Sequence, residues 1–170
     1  MGIQSFVGDL KVLYKAATIK PPTSNTVGSL PLLVQVNAQK YPNDLALICE
    51  GEDITWVQLN ERANRVAHQL EAMGIQKGDC ISLFMQNRIE FVVCMLGIQS
   101  LGAAVGMINT NLTKQQLTHC INLIESKKCI FGEELLEPLE QVRSDLKLAD
   151  GEDYLFVRDP QSDSGPPPNW

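Results

Sequence analysis

The adjacent residues His119 and Cys120 are the pair best suited to covalent chemistry, because an imidazole base can activate a thiol as a nucleophile. Both fall in a predicted helix, where neighbouring side chains point about 100° apart and do not converge on one atom. His68, the other histidine, falls on the polar face of another predicted helix. The sequence therefore predicts no catalytic residue.

Phosphate binding would need a glycine-rich loop whose backbone amides face the ligand, with a helix start or a lysine behind it. The nearest match runs from Gly97 to Gly106, but it leads from a predicted helix into a strand, the wrong direction for a nucleotide loop. Gly102 is interpreted as a helix cap, and Gly106 as a position that lets another backbone segment or a ligand approach closely. The paired carboxylates Glu133 and Glu134 open a predicted helix and offset its dipole. We predict no cofactor-binding residue.

The cysteines do not have the spacing of a metal site, since none forms a C-x-x-C pair and the two histidines are far apart. Each cysteine lies in an apolar run, which is typical of reduced, mostly buried thiols. They are Cys49, Cys80, Cys94, Cys120 and Cys129. We predict no metal-binding residue.

The 170-residue chain is long enough to bury the core of one domain. Its net charge of −6 argues against a nucleic-acid partner, because no basic face is available to neutralise phosphates. We see neither a signal peptide nor an apolar run of the ~20 residues that span a bilayer. We therefore expect a cytoplasmic protein, with membrane association as an open alternative.

Composition divides the chain into an N-terminal arm and linker (1–29), a patterned core (30–157) and a Pro/Ser-rich tail (158–170). Apolar residues at three- and four-residue steps predict an amphipathic helix in the arm. Peripheral membrane contact through residues 1–15 is one interpretation, but the arm has only three lysines, which favours packing on the protein or disorder. We expect the tail to be disordered.

The clearest element of the core is a helix that begins at a capping box formed by Thr55 and Gln58 and ends at Gly74. Its predicted polar face includes Arg62 and Arg65. Across the core, periodicity predicts helices over 30–41, 56–73, 88–101, 113–124 and 133–146. Short strands are predicted over 45–49, 54–55, 80–85, 103–108, 129–131 and 153–157.

Three boundaries of these elements rest on particular residues. Gln86 and Asn87 are expected to cap the helix over 88–101, and Thr113 begins a second predicted capping box. Pro138 must lie near the start of the last helix or kink it. Buried strands that alternate with helices predict an α/β fold: a partial doubly wound, mostly parallel sheet with helices on both faces.

A continuous series of segments resembles the front of the adenylate-forming (AMP-binding) enzymes, which include acyl-CoA synthetases, peptide-synthetase adenylation domains and luciferases. Within that superfamily the chain is most similar to the fatty-acid transport protein and very-long-chain acyl-CoA synthetase group. The resemblance covers about residues 30–157. It rests on DITWVQLNERANRVA (53–67), GIQKGD (74–79), NRIEF (87–91), LGAAV (101–105) and MINTNL with LTHCI (107–112, 117–121).

The resemblance implies a ligase that activates a fatty acid with ATP and Mg²⁺ and then transfers the acyl group to coenzyme A. It implies that the loop from Asn109 to Asn111 borders the acyl pocket. The family's Ser/Thr/Gly-rich phosphate loop, its adenine and ribose motifs and its C-terminal lid find no match in this chain. We therefore expect an N-terminal portion that is inactive alone, whose partner would be the remainder of the enzyme.

Two alternatives stay open at this point. The chain could be a stand-alone acyl-binding or interaction module derived from that fold. An unrelated α/β nucleotide binder is disfavoured by the missing glycine-rich loop.

Overall fold

The computed structural model describes residue 18, residues 28–49 and 52–159, residue 162 and residues 167–168. The predicted helix of the arm and most of the predicted tail lie outside these residues. The helices are α1 (Leu30–Lys40), α2 (Trp56–Ala72), α3 (Ile89–Ser100), α4 (Lys114–Leu123) and α5 (Leu136–Glu140). The strands are β1 (Leu45–Cys49), β2 (Glu52–Thr55), β3 (Cys80–Phe84), β4 (Ala104–Met107), β5 (Lys128–Gly132) and β6 (Tyr154–Val157).

The main sheet has the strand order β4-β3-β5-β6, and all its strands run parallel. This confirms the predicted α/β fold with a parallel sheet. The connection from β3 leads to β4 on one side, whereas the next connection crosses β3 to reach β5 on the other side. The carboxyl ends of β3 and β5 therefore flank the point where the winding direction reverses, which is where such sheets bind ligands.

The two faces of the sheet are covered by different helices, as the alternation of strand side chains requires. Ile81, Leu83 and Ile130 point to one core with Leu70 of α2 and Ile98 of α3. The opposite face presents other residues of the same strands to α4 and α5. That second core contains Phe84, Cys129, Phe131, Leu117, Ile121 and Leu139.

Helix α2 begins as predicted, because both bonds of the capping box form. The Thr55 hydroxyl accepts from the Gln58 amide at 3.4 Å, and the Gln58 side chain accepts from the Thr55 amide at 2.8 Å. Helix α2 packs closely on α3 at Gly97, where an added Cβ would lie 2.6 Å from Cγ1 of Val66. The predicted hairpin is also confirmed, since β1 and β2 pair antiparallel.

Strand β4 is not the buried strand that its sequence predicts. It lies at the end of the strand order, and Met107 is 58% exposed. Its run of apolar and small residues looks like that of a central strand, but only one side of it pairs with a neighbour among the described strands.

Two predicted caps do not form. Helix α3 begins after Arg88, which has only donors and cannot accept from the first amides of the helix. Thr113 makes no side-chain cap bond, and the next residue, Lys114, has a φ of 50° instead of a right-handed helical value.

The predicted helix over residues 133–146 is three short pieces. A 3₁₀ turn (Glu133–Leu135) precedes α5, and a second 3₁₀ turn (Arg143–Asp145) follows it. Pro138 lies in the first turn of α5, where its missing N–H costs no helical bond, so it begins a new helix instead of kinking a long one.

The thiols are less deeply buried than predicted. Cys94 and Cys129 are buried, whereas Cys49, Cys80 and Cys120 are half-buried. Within the described part of the chain, no helix combines the length and the apolar content that crossing a membrane requires.

Candidate binding groove at the carboxyl edge of the sheet

A groove opens where β3 and β4 end, at what we call the carboxyl edge of the sheet. Its volume is about 550 Å³, which is large enough for a small organic ligand. Apolar side chains and the polar loops after the two strands share its lining. The groove is defined by Met85, Gln86, Asn87, Phe91, Met107, Ile108, Asn109 and Thr110.

The polar rim of the groove includes one residue that the sequence pointed to. Asn109 lines the groove, and its side-chain oxygen accepts from the Asn111 amide at 2.9 Å. This local bond fixes the turn after β4. Asn109 thus lies at the groove, while Asn111 is held beside it.

Beside the groove, Arg88 occupies the centre of a charged cluster. Its guanidinium donates to Oε2 of Glu134 at 2.8 Å and to the Val157 carbonyl at 3.0 Å. A third nitrogen lies 3.5 Å from Oε2 of Glu90, and Asp159 is 3.8 Å away. The Arg88 side chain is only 13% exposed. Its two terminal nitrogens are hydrogen-bonded, whereas its buried Nε has no hydrogen-bond partner among the described residues.

The cluster continues into the helices through Glu90, which is 8% exposed. Arg62 of α2 contacts Glu90 at 2.5 Å and Glu52 of β2 at 2.6 Å. Two arginines therefore face the carboxylates of Glu52, Glu90 and Glu134. The excess of negative charge disfavours phosphate at this position.

Glu133 and Glu134 do more than offset a helix dipole. One Glu134 oxygen accepts from the Gln86 amide at 2.7 Å while the other binds Arg88. Glu133 accepts from the Asp159 amide at 2.8 Å and from the Ser162 hydroxyl at 3.1 Å. Both carboxylates thus tie the loop after β5 to neighbouring loops.

Sequence reasoning missed this cluster because its members are far apart in the chain. Arg62 lies 28 positions from Glu90, and helical periodicity assigns it to the polar face of α2. One signal was available. Glu90 is the charged residue of helix α3, whose other residues are apolar or uncharged. A buried charge needs a partner.

The other chemistry-bearing residues are not brought together. His119 is exposed on α4 and the adjacent Cys120 packs on the core. His68 is exposed and 3.5 Å from Glu71 of its own helix. Over the described ranges, no group of three or more His, Cys, Asp or Glu side chains is arranged to hold a metal ion.

The glycines between α3 and β4 have structural positions. Gly102 has a φ of 71° and ends the turn after α3, as the sequence predicts. Gly106 lies in β4 and faces the Ile124 side chain, where a Cβ would collide. It makes room for α4 and does not form a phosphate loop.

A larger cleft of about 640 Å³ lies at the opposite, amino edge of the sheet. Its lining includes Asp79, Lys127, Lys128, Lys147 and Asp153. Lys128 binds Asp153 at 2.6 Å. Burial alone would raise the pKa of Asp153, but hydrogen bonds from the Ala149 amide and from Lys128 lower it overall. We favour the smaller carboxyl-edge groove, because parallel α/β sheets bind ligands beyond the carboxyl ends of their strands. The groove adjoins the end of β3, one of the two strands that flank the reversal point.

Comparison with known proteins identifies the family. Residues 34–168 match the family of AMP-binding enzymes. Long-chain fatty acid transport protein 6 of Mus musculus is 34% identical over 107 residues, which are 62% of this chain and 17% of that protein. A medium/long-chain-fatty-acid–CoA/3-oxocholest-4-en-26-oate–CoA ligase of Mycobacterium marinum is 34% identical over 124 residues, 69% of this chain and 22% of that protein.

A solved structure shows the same relationship in three dimensions. The Mycobacterium tuberculosis fatty acyl CoA synthetase superposes with a TM-score of 0.67 at 26% identity, over 75% of this chain and 26% of that chain. The chain spans about a fifth of the length of the curated relatives it matches. The N-terminal domain of FACL13 from Mycobacterium tuberculosis also superposes, with a TM-score of 0.69 at 25% identity over 77% of this chain and 34% of that chain. The chain therefore belongs to the AMP-binding enzyme family.

Proposed function

We propose that the chain is the N-terminal portion of an ATP-dependent long- or very-long-chain fatty acid–CoA ligase and is inactive alone. In this proposal it contributes the carboxyl-edge groove as part of the surface that holds the fatty acyl chain. Met85, Phe91, Met107 and Ile108 give the groove the apolar lining that an acyl chain requires. The names of its relatives supply the substrate class.

The charged residues at the carboxyl edge support the second part of the proposal, which is that the chain is inactive alone. Forming an acyl-adenylate and then an acyl-CoA requires neutralisation of phosphate charge by Mg²⁺, a lysine and backbone amides. The cluster beside the groove instead presents more carboxylates than guanidinium groups, and the terminal nitrogens of Arg88 and Arg62 already donate to protein oxygens. These residues do not fit ATP, Mg²⁺ or coenzyme A, which we assign to the complete enzyme.

Pyrophosphate release tests the proposed inactivity. The purified chain, incubated with ATP, Mg²⁺, oleate and coenzyme A, is expected to release no pyrophosphate above the rate without enzyme. The mycobacterial relative under the same conditions serves as the positive control. Turnover that depends on both oleate and ATP would overturn the proposal.

The alternative function is a stand-alone acyl-binding module. The groove supports this alternative because all of its lining residues belong to this chain. Fluorescence titration with cis-parinaric acid separates the two. A wall of a larger pocket is expected to bind the probe weakly, because its acyl chain would stay half solvated. Saturable binding with a Kd of about 1 μM or below would favour the module.

We place the protein in the cytoplasm and treat peripheral membrane contact through residues 1–15 as a separate proposal. Lys11 and Lys15 would supply the attraction to anionic lipid. Membrane contact would be supported if the wild type co-sediments with phosphatidylserine vesicles and the double variant K11Q/K15Q does so less. Recovery of the wild type and the variant in the supernatant would refute it.

A further inference from the structure

The carboxyl ends of three parallel strands, β3, β5 and β6, are joined through one side chain. Arg88 follows β3, and it donates to Glu134 after β5 and to the carbonyl of Val157, the last residue of β6. A longer contact of 3.5 Å reaches the Arg158 carbonyl. The fork of a guanidinium allows one side chain to bond in several directions at once, which an ammonium does not match.

A second carboxylate holds the chain one step further on. Glu133 accepts from the Asp159 amide and from the Ser162 hydroxyl. The backbone on both sides of the Arg158–Asp159 peptide bond is therefore fixed by side chains from other loops. Arg158 itself is exposed, so burial of its side chain does not hold this segment in place.

We propose that Arg88, Glu133 and Glu134 form an exit clamp, a positioning device that fixes the path of the chain as it leaves β6. Glu134 also accepts from the Gln86 amide, so the clamp shares a loop with the carboxyl-edge groove. Resting on the proposed function, the clamp fixes the direction in which the chain leaves β6 and continues into the rest of the ligase. Its residues are positioning residues and contact no reacting atoms.

Trypsin measures the clamp directly in the chain as it exists, because it cleaves after Arg158. Cleavage requires the clamped backbone to detach, so its rate follows the population of the open segment. We expect Arg88→Gln to raise the rate of release of peptide 159–170 about tenfold, since charge-assisted bonds are lost. Arg88→Lys, which keeps the charge but not the fork, is expected to give an intermediate rate.

Two controls separate local release from general unfolding. Lys77, at the amino edge, is the internal reference site, and its cleavage rate is expected to stay unchanged. The matched control variant is Arg65→Gln, because Arg65 is exposed on α2. Equal acceleration at Lys77 and Arg158 in Arg88→Gln would attribute the effect to global stability and overturn the clamp.

Variants of Glu133 test the clamp without disturbing the buried arginine. Glu133→Ala loses both acceptors and is expected to raise cleavage at Arg158 about threefold, while Glu133→Gln keeps one oxygen and restores part of the protection. Unchanged cleavage at Arg158 in Glu133→Ala and Arg88→Gln would refute the proposal. The assay contains neither ATP nor fatty acid, so its failure is distinct from failure of the proposed function.

Discussion

The two edges of the main sheet both contain buried charge, but they use it differently. At the carboxyl edge, Arg88 and Arg62 join loops after three strands to helices α2 and α3 and to the hairpin. At the amino edge, the Lys128–Asp153 pair joins the start of β5 to the turn before β6. One edge carries a network, and the other carries a local pair.

The comparison shows that cavity size alone does not identify a site. The amino-edge cleft is the larger of the two, but it is lined by lysines and acidic residues. It lies where the strands begin and not where they end. The carboxyl-edge groove is smaller, has apolar walls and adjoins a clamp of fixed geometry. Rigid positioning and an apolar lining are what an acyl chain requires of a binding wall.

Thiol reactivity gives the largest expected contrast between the edges. Burial, and then the Glu90 charge, raises the pKa of Cys94 beneath the carboxyl edge to about 12. Burial raises the pKa of Cys80 at the amino edge as well, but this thiol is only half-buried. At pH 8 a thiol with a pKa of 12 holds about a thousandfold less thiolate than an ordinary one, and the thiolate is the reactive form.

We therefore expect dithionitrobenzoate to modify Cys80 well before Cys94 in the folded protein, as read by mass spectrometry of the labelled peptides. Denaturation in urea should equalise the two rates. Labelling of Cys94 at the rate of Cys80 in the native state would show that the region beneath the clamp opens freely.

Removing Arg62 from the network should lower the stability more than removing Lys128 at the amino edge. Arg62→Ala leaves Glu90 buried with only the distant Arg88 contact, and we expect the free energy of unfolding to fall by about 3 kcal/mol. Urea denaturation monitored by circular dichroism measures it. Arg65→Ala on the same helix is the control, with a change within about 0.5 kcal/mol. Equal effects would mean that the network adds nothing.

The amino-edge pair should be worth less. Lys128→Ala is expected to lower the free energy of unfolding by about 1 kcal/mol, because Asp153 keeps its bond to the Ala149 amide. A loss comparable to that of Arg62→Ala would erase the distinction between network and pair.

The same pair predicts a pH dependence. The folded pKa of Asp153 lies below its ordinary value of 3.8, so the stabilisation is present above that value and is lost as the pH falls through the folded pKa. Between pH 5 and pH 2, the free energy of unfolding is expected to fall more steeply with decreasing pH for the wild type than for Asp153→Asn. Parallel curves would contradict the lowered pKa.

The smallest stability effect is expected in the groove itself. Met107 is largely exposed at the edge strand, so Met107→Ser should change the free energy of unfolding by less than about 0.5 kcal/mol. The same variant should weaken binding of cis-parinaric acid, since a groove wall becomes polar. Weakened stability with unchanged binding would place Met107 in the core and not in a binding surface.

The sequence predicted most strands and α2 because their patterns are local. The capping box at Thr55 and the apolar run of β3 are readable from a few residues. The prediction of one helix over 133–146 was wrong, because the apolar spacing continues across two breaks, the first of which lies just before the turn that contains Pro138. The clamp could not be predicted, since the partners of Arg88 lie 46 and 69 positions away and meet only when the strands are in register.

Photo-crosslinking with a diazirine-bearing long-chain fatty acid tests the central claim most directly, because it captures weak binding at its site. Labelled peptides are identified by mass spectrometry and competed with unlabelled oleate. We predict oleate-sensitive labels on residues 85–91 and 107–110, at the carboxyl edge. Oleate-sensitive labels confined to residues 73–79 and 121–128, at the amino edge, would contradict the account.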